Sequence, residues 1–169
     1  MAFTLDATIG GSASNSYITQ ADAEDVFSGM LKTQRWNEAS SADKDSALAQ
    51  STHRIDAEGF GGEKTASAQS LQYPRDYIYD RDGNTISNSI IPSELERATC
   101  ALALYMLQED DRSAAQDEID DLESYKVGPL QYDIRATRSS SDLPPTVITL
   151  LAAIGINAYV LGGIKNIYR

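Results

Sequence analysis

The sequence predicts a mainly α domain: a small four-helix bundle with a loop and β-hairpin excursion, one additional short strand, and extended N- and C-terminal arms. Three observations lead there. Four stretches repeat apolar residues at helical spacing, and each follows a helix-start signal. The stretch 59–91 between them concentrates Gly59, Gly61, Gly62, Pro74 and the Asp82-Gly83 pair. Both ends are rich in small residues: Gly10-Gly11 with Ser12, Ser14 and Ser16 at one end, Gly162-Gly163 at the other. A length of 169 residues fits one domain. Its parts are an arm over 1–18, a helical body over 19–158 carrying the excursion 59–91, and a tail over 159–169.

Thr19-Gln-Ala-Asp22 has the form of a capping box, so the first helix is expected over about 20–31, with Ala23, Val26, Phe27, Met30 and Leu31 on its apolar face. Ser40-Ser41-Ala-Asp-Lys starts the second, with Ala47, Leu48, Ser51 and Ile55 facing inward and an end near Gly59. Asp82-Gly83 suits a two-residue type I′ turn, which needs positive φ at both positions, so a hairpin is expected near 77–87. Pro92 opens the strongest helix, over about 93–109, because its missing N–H is no loss in a first turn. Leu95, Ala98, Leu102 and Met106 make a wide apolar stripe there. Leu130, Tyr132 and Ile134 alternate with Gln131 and Asp133, the period of a half-buried strand. Pro144-Pro145 starts the last helix. Its apolar run, Val147 to Ile164, approaches a membrane span in length, but three glycines, Asn157 and the prolines favour a buried helix followed by a packing tail. Met1-Ala-Phe-Thr-Leu-Asp6 has neither the basic nor the apolar region of a signal peptide.

The chain is acidic and poor in reactive groups. It has 25 Asp and Glu against 14 Lys and Arg, a net charge of −11, one His and one Cys. That balance opposes holding nucleic acid by counterion release. His53 has no sequence partner that would make it a general base, and Cys100 lies in an apolar run where a buried thiol is expected. No catalytic residue, metal or cofactor is expected. Asp80-Arg-Asp82-Gly-Asn84 opens like a calcium loop, yet Thr85 stands where glycine is needed and Ile91 where glutamate is needed. The acids Glu109, Asp110, Asp111, Asp117, Glu118, Asp120, Asp121 and Glu123 surround a single Arg112 and read as a solvated surface. The stretch 71–81 interleaves Tyr73, Tyr77 and Tyr79 with Arg75 and Arg81. That composition suits a protein interface and a nucleic-acid contact equally.

Several of these pieces occur in an order that resembles a family of tailed-phage neck proteins. They are Asn15-Ser-Tyr17, Trp36 to Lys44, Gly59 to Gly62, Leu71-Gln-Tyr-Pro-Arg75, Asp80-Arg-Asp-Gly83, Ile91-Pro92, Arg97 to Leu104 and Lys126-Val-Gly-Pro129. The pattern is similar to proteins labelled DnaT-like single-stranded-DNA-binding, and to head–tail connectors, or adaptors, seated under the portal ring. Tyr73 departs from the usual Trp of the Trp-Pro-Arg motif. The adaptor resemblance implies a structural virion protein at the head–tail neck, made in the host cytoplasm. It also implies a homo-oligomeric ring, commonly of twelve subunits, between the portal protein and a tail or tail-completion protein. Genomic DNA would pass through its lumen without specific binding, and no membrane is involved. Acidic walls let DNA slide, so the composition favours the adaptor over the single-strand binder, and the cluster 109–123 is expected on the lumen or rim. Tyr159, Leu161, Ile164, Ile167 and Tyr168 are the tail residues expected to meet the portal or a neighbouring subunit; packing on their own bundle is the plain alternative.

Overall fold

A computed structural model of the protein describes residues 3–80, 82–108, 124–127, 130–133 and 143–154. Helices α1 (Gln20–Ser28), α2 (Gln34–Glu38), α3 (Ser41–Asp56), α4 (Ser93–Leu107) and α5 (Pro145–Ala153) make it mainly α. Strands β1 (Glu63–Lys64) and β2 (Arg75–Asp76) pair antiparallel, as do β3 (Ser124–Val127) and β4 (Leu130–Asp133). None of these helices is long and apolar enough to cross a membrane.

The capping box expected at Thr19 forms, and a second forms at Ser40, where the sequence marks a helix start. Thr19 Oγ1 accepts from Asp22 N at 3.1 Å and donates to the Asp22 carboxylate at 2.5 Å. Ser40 does the same for Asp43, at 3.2 and 2.7 Å. Each box satisfies a backbone donor that the first helical turn leaves open. Helix α1 stops three residues earlier than expected. Gly29 caps it, Lys32 enters the left-handed region at φ 62°, and Leu31 is left 90% exposed instead of joining the apolar face. Helix α4 begins at Ser93, as expected, with Pro92 as its N-cap, whose carbonyl accepts from Leu95 N and Glu96 N. Pro145 occupies the first position of α5.

Helix α4 touches each of the other described helices and faces two clusters. Leu95, Ala98 and Leu102 join Ile55, Val147, Ile148 and Leu151 in one. Cys100, Ala103 and Leu104 join Ala23, Phe27, Trp36 and Leu48 in the other. The two sets interleave at spacings of three and four, so α4 is apolar over most of its circumference and buried on two sides. Trp36 anchors the second cluster. It is fully buried, its ring lies 4.2 Å from that of Phe27, and Lys44 Nζ lies 5.2 Å above it while bonding Glu24 at 2.7 Å. The Lys44–Glu24 pair thereby clamps α3 to α1.

Residues 3–18 carry no helix or strand, but they lie along the bundle and do not project from it. Asn15 N and Ser16 N donate to Asp6 O, and Ser14, Ser16, Tyr17 and Ile18 are buried. The hairpin near 77–87 is present in reduced form, as a bridge between Tyr79 and Thr85 with Ile86 N donating to Ile78 O. Its turn is not closed as type I′, and Gly83 lies at φ 84°. Gly83 N closes on Asp80 O, and Asp80 N on Asn84 O, the pattern of a three-residue loop with a bulge. The strand expected at 130–134 appears as β4 over its described residues, Leu130–Asp133, paired with β3, for which no strand was expected. The last helix is described to Ala153; the acidic cluster 109–123 and the tail 159–169 lie outside the described residues.

Replacing Trp36 with Ala should destabilise the domain by about 3–5 kcal/mol, because the transfer term and the residual cavity add. Chemical denaturation monitored by far-UV circular dichroism gives the value.

Candidate functional site

The excursion is held at its base by a buried polar junction. The Tyr17 hydroxyl donates to the Asp56 carboxylate at the end of α3 and accepts from Tyr73 N at 3.2 Å. The other Asp56 oxygen accepts from Gln72 N at 3.0 Å, and Tyr17 N donates to Thr52 Oγ1. Three segments far apart in sequence thus meet on one carboxylate and one phenol. Burial, with the Asp56 charge adding to it, pushes the Tyr17 hydroxyl far above its ordinary range, so it stays a neutral donor. Burial also raises Asp56, against the opposing pull of the Tyr17 and Gln72 hydrogen bonds.

Two further side chains set the shape of the excursion. Gln69, 4% exposed, accepts from Ala66 N and donates to the carbonyls of Leu71 and Pro74, each at 3.0 Å. Arg75 spreads its guanidinium over the carbonyls of Gly61, Gly62 and Gln72 and lies 5.8 Å from the Phe60 ring. At Gly62 the chain turns with φ 63°, and an added Cβ would fall 2.1 Å from Asp76 O, so a side chain cannot be accommodated without moving backbone. The peptide bond between Tyr73 and Pro74 is cis.

The residues expected to present a loop interface therefore divide. Tyr73 is 2% exposed and Arg75 9% exposed. Both belong to the scaffold, because the junction draws Tyr73 inward and backbone carbonyls consume the guanidinium. Tyr77 and Tyr79 are 69% and 53% exposed, while Ile78 between them is buried in the core. Arg81 lies outside the described residues, as do all the acidic-cluster and tail candidates. The exposed tyrosines sit among Asp76, Asp80 and Asp82. Asp80 accepts from Asp82 N, Asn84 N and the Asn84 amide, bonds that hold its carboxyl below the usual range. Sequence reasoning missed Gln69 and Asp56 as organisers; an acid at the end of α3 followed by a polar, proline-containing loop was their only trace.

Several cations among the described residues are already engaged. Lys44, Arg54 and Arg35 face Glu24, Glu58 and Glu38, and Arg75 is engaged with carbonyls. His53 is exposed on α3, at a cleft of about 680 Å³ that Asn15, Gln50, Arg54 and Ser70 also line. Cys100 is fully buried, and burial first, then Glu96, pushes its thiol up to about 12, which keeps it un-ionised and unreactive. No three His, Cys, Asp or Glu side chains converge as a metal site among the described residues.

Tyr73 carries a buried hydroxyl with no hydrogen-bond partner among the described residues. Tyr73→Phe should therefore leave stability unchanged or raise it by about 1 kcal/mol, since it deletes an unsatisfied polar group and keeps the ring; thermal melting measures the change. Asp56 supplies a pH test. Its raised folded-state pKa means its contribution is fully present below the unfolded value and is lost as pH rises through the folded one. Asp56→Asn lacks this loss. The variant breaks the junction and is less stable than the parent in acid, and the gap should narrow as pH rises from about 4, the unfolded value, through the raised folded one. Urea unfolding of both proteins across that range would show it.

A family model matches residues 1–164. No curated protein and no solved structure is significantly similar to the chain. With the match spanning nearly the whole sequence, the chain belongs to the family described as "Putative DnaT-like ssDNA binding protein".

Proposed function

We propose that this protein is a structural subunit of a phage head-to-tail adaptor ring, docking to its partners through surfaces such as the tyrosine-bearing hairpin. The observation that carries this reading is the pair Tyr77 and Tyr79, exposed among Asp76, Asp80 and Asp82 on a firmly based excursion. Tyrosine supplies large contact area at low entropic cost, and carboxylates around it favour a basic protein surface over a phosphate backbone. The net charge of −11 supports the same direction, since a lumen that passes DNA works by not retaining it. In this reading the partners are the portal protein, a tail or tail-completion protein, and further copies of the chain, with the virion neck as its location.

The second reading is a single-stranded-DNA-binding protein, and the family description speaks for it directly. It requires aromatic stacking beside cations and an affinity that falls with salt.

One pair of measurements separates them. Purified full-length protein mixed with portal-containing, tailless heads should appear as a ring at the neck, and Tyr77→Ala with Tyr79→Ala should weaken that association about tenfold or more, as for aromatic anchors. Absence of association at every ionic strength would sink the adaptor. A fluorescence titration of labelled oligonucleotide at low salt should show no binding; saturable binding that weakens linearly in log salt would establish the second reading instead.

A further inference from the structure

Helices α1, α4 and α5 leave an open groove of about 460 Å³ between them. The walls contribute residues four apart in sequence: Val26 of α1 with Met30 just past its end, Arg97 and Ala101 from α4, Thr146 and Leu150 from α5. Val26, Met30, Ala101 and Leu150 are only half-buried, and Leu31, next after Met30, is 90% exposed. Such a three-walled apolar trough has the form that receives an apolar segment with anchors at regular spacing. Its α1 wall is acidic. Asp25 lines it, and Asp22 lies one turn earlier on the same helix. Glu96 of α4 is near enough to Asp22 that this neighbour, after burial, raises its carboxyl. Arg97 is the basic residue of the lining.

The sequence contains a segment of complementary chemistry. Residues 155–169 carry eight apolar side chains, Lys165 and Arg169, and no acid, in a chain otherwise strongly acidic. We propose that the groove between α1, α4 and α5 seats residues 155–169 of a second copy of the chain. This rests on the ring reading above. A ring is built by a heterologous contact, which needs two different and mutually complementary patches on one chain. The trough and this segment match in apolar character and oppose in charge. Val26, Met30, Ala101 and Leu150 receive the apolar side chains, and Asp22 and Asp25 receive Lys165 or Arg169.

Carbodiimide coupling of the full-length protein tests the assignment. Isotopically light and heavy protein are mixed in equal amounts before assembly, coupled, digested and read by mass spectrometry, with sedimentation velocity on the same samples. Cross-linked peptides joining Lys165 to Asp22 or Asp25 in mixed light–heavy pairs are expected. Asp25→Lys, a change on an exposed helix face, should reduce both the mixed pairs and the oligomer about tenfold. Links confined to one isotope would place the segment on its own bundle and overturn the proposal. Lys165 joined to acids outside the groove would also overturn it. An intact oligomer without the groove link removes this contact and leaves the ring standing, whereas monomer without the link removes both. Mixed links in a protein that ignores portal-containing heads would support the contact and remove the adaptor role.

Discussion

The hydrogen bond from the Tyr17 hydroxyl to the Asp56 carboxylate is the constraint on which the rest of the molecule depends. Asp56 is the last residue of α3, Tyr17 belongs to the N-terminal loop, and Tyr73 and Gln72 belong to the excursion. A desolvated carboxylate is costly unless its lone pairs are used, and here a phenol and an amide use them. Meeting that requirement fixes where the loop lies on the bundle and where the excursion leaves it. The Gln69 and Arg75 networks then propagate this placement outward through backbone carbonyls.

Below that junction the bundle follows from α4. Two apolar faces on one helix require helices on both sides: α1 and α2 meet the face bearing Cys100 and Leu104, α5 the face bearing Leu95 and Leu102, and α3 reaches both, through Leu48 and Ile55. The excursion takes part through Tyr73 and Ile78, which enter the same cluster as α5. The excursion is therefore not a separable module; that surface loop and the core are one cooperative unit.

The parts legible in the sequence are those set by local rules. Thr19 and Ser40 are caps because an acid three residues on completes a local box, and α4 is plain because its stripe is long. Where several distant segments decide, reading fails. Helix α2 has only five residues, too few to display a period, and exists around the burial of Trp36. Strands β1 and β2 are two residues each and depend on Arg75 gathering the carbonyls beside them. Tyr73 and Arg75 look like surface residues because tyrosine and arginine are common at interfaces; the partner that draws Tyr73 inward is Tyr17, 56 positions away. The Asp82-Gly83 turn was recognisable, but its type was set by flanking Asp80, whose side chain ties down Asp82 and Asn84.

The alternation of Tyr77, Ile78 and Tyr79 has a consequence for how tightly any partner can be held. Ile78 is an internal anchor, so the two tyrosines stand on backbone already immobilised by the core. Docking then forfeits little chain freedom, and the contact area of both rings is available to affinity instead of being spent on ordering a loop. The same anchor limits adaptability: this surface suits a partner of one fixed shape better than a set of differently shaped ones.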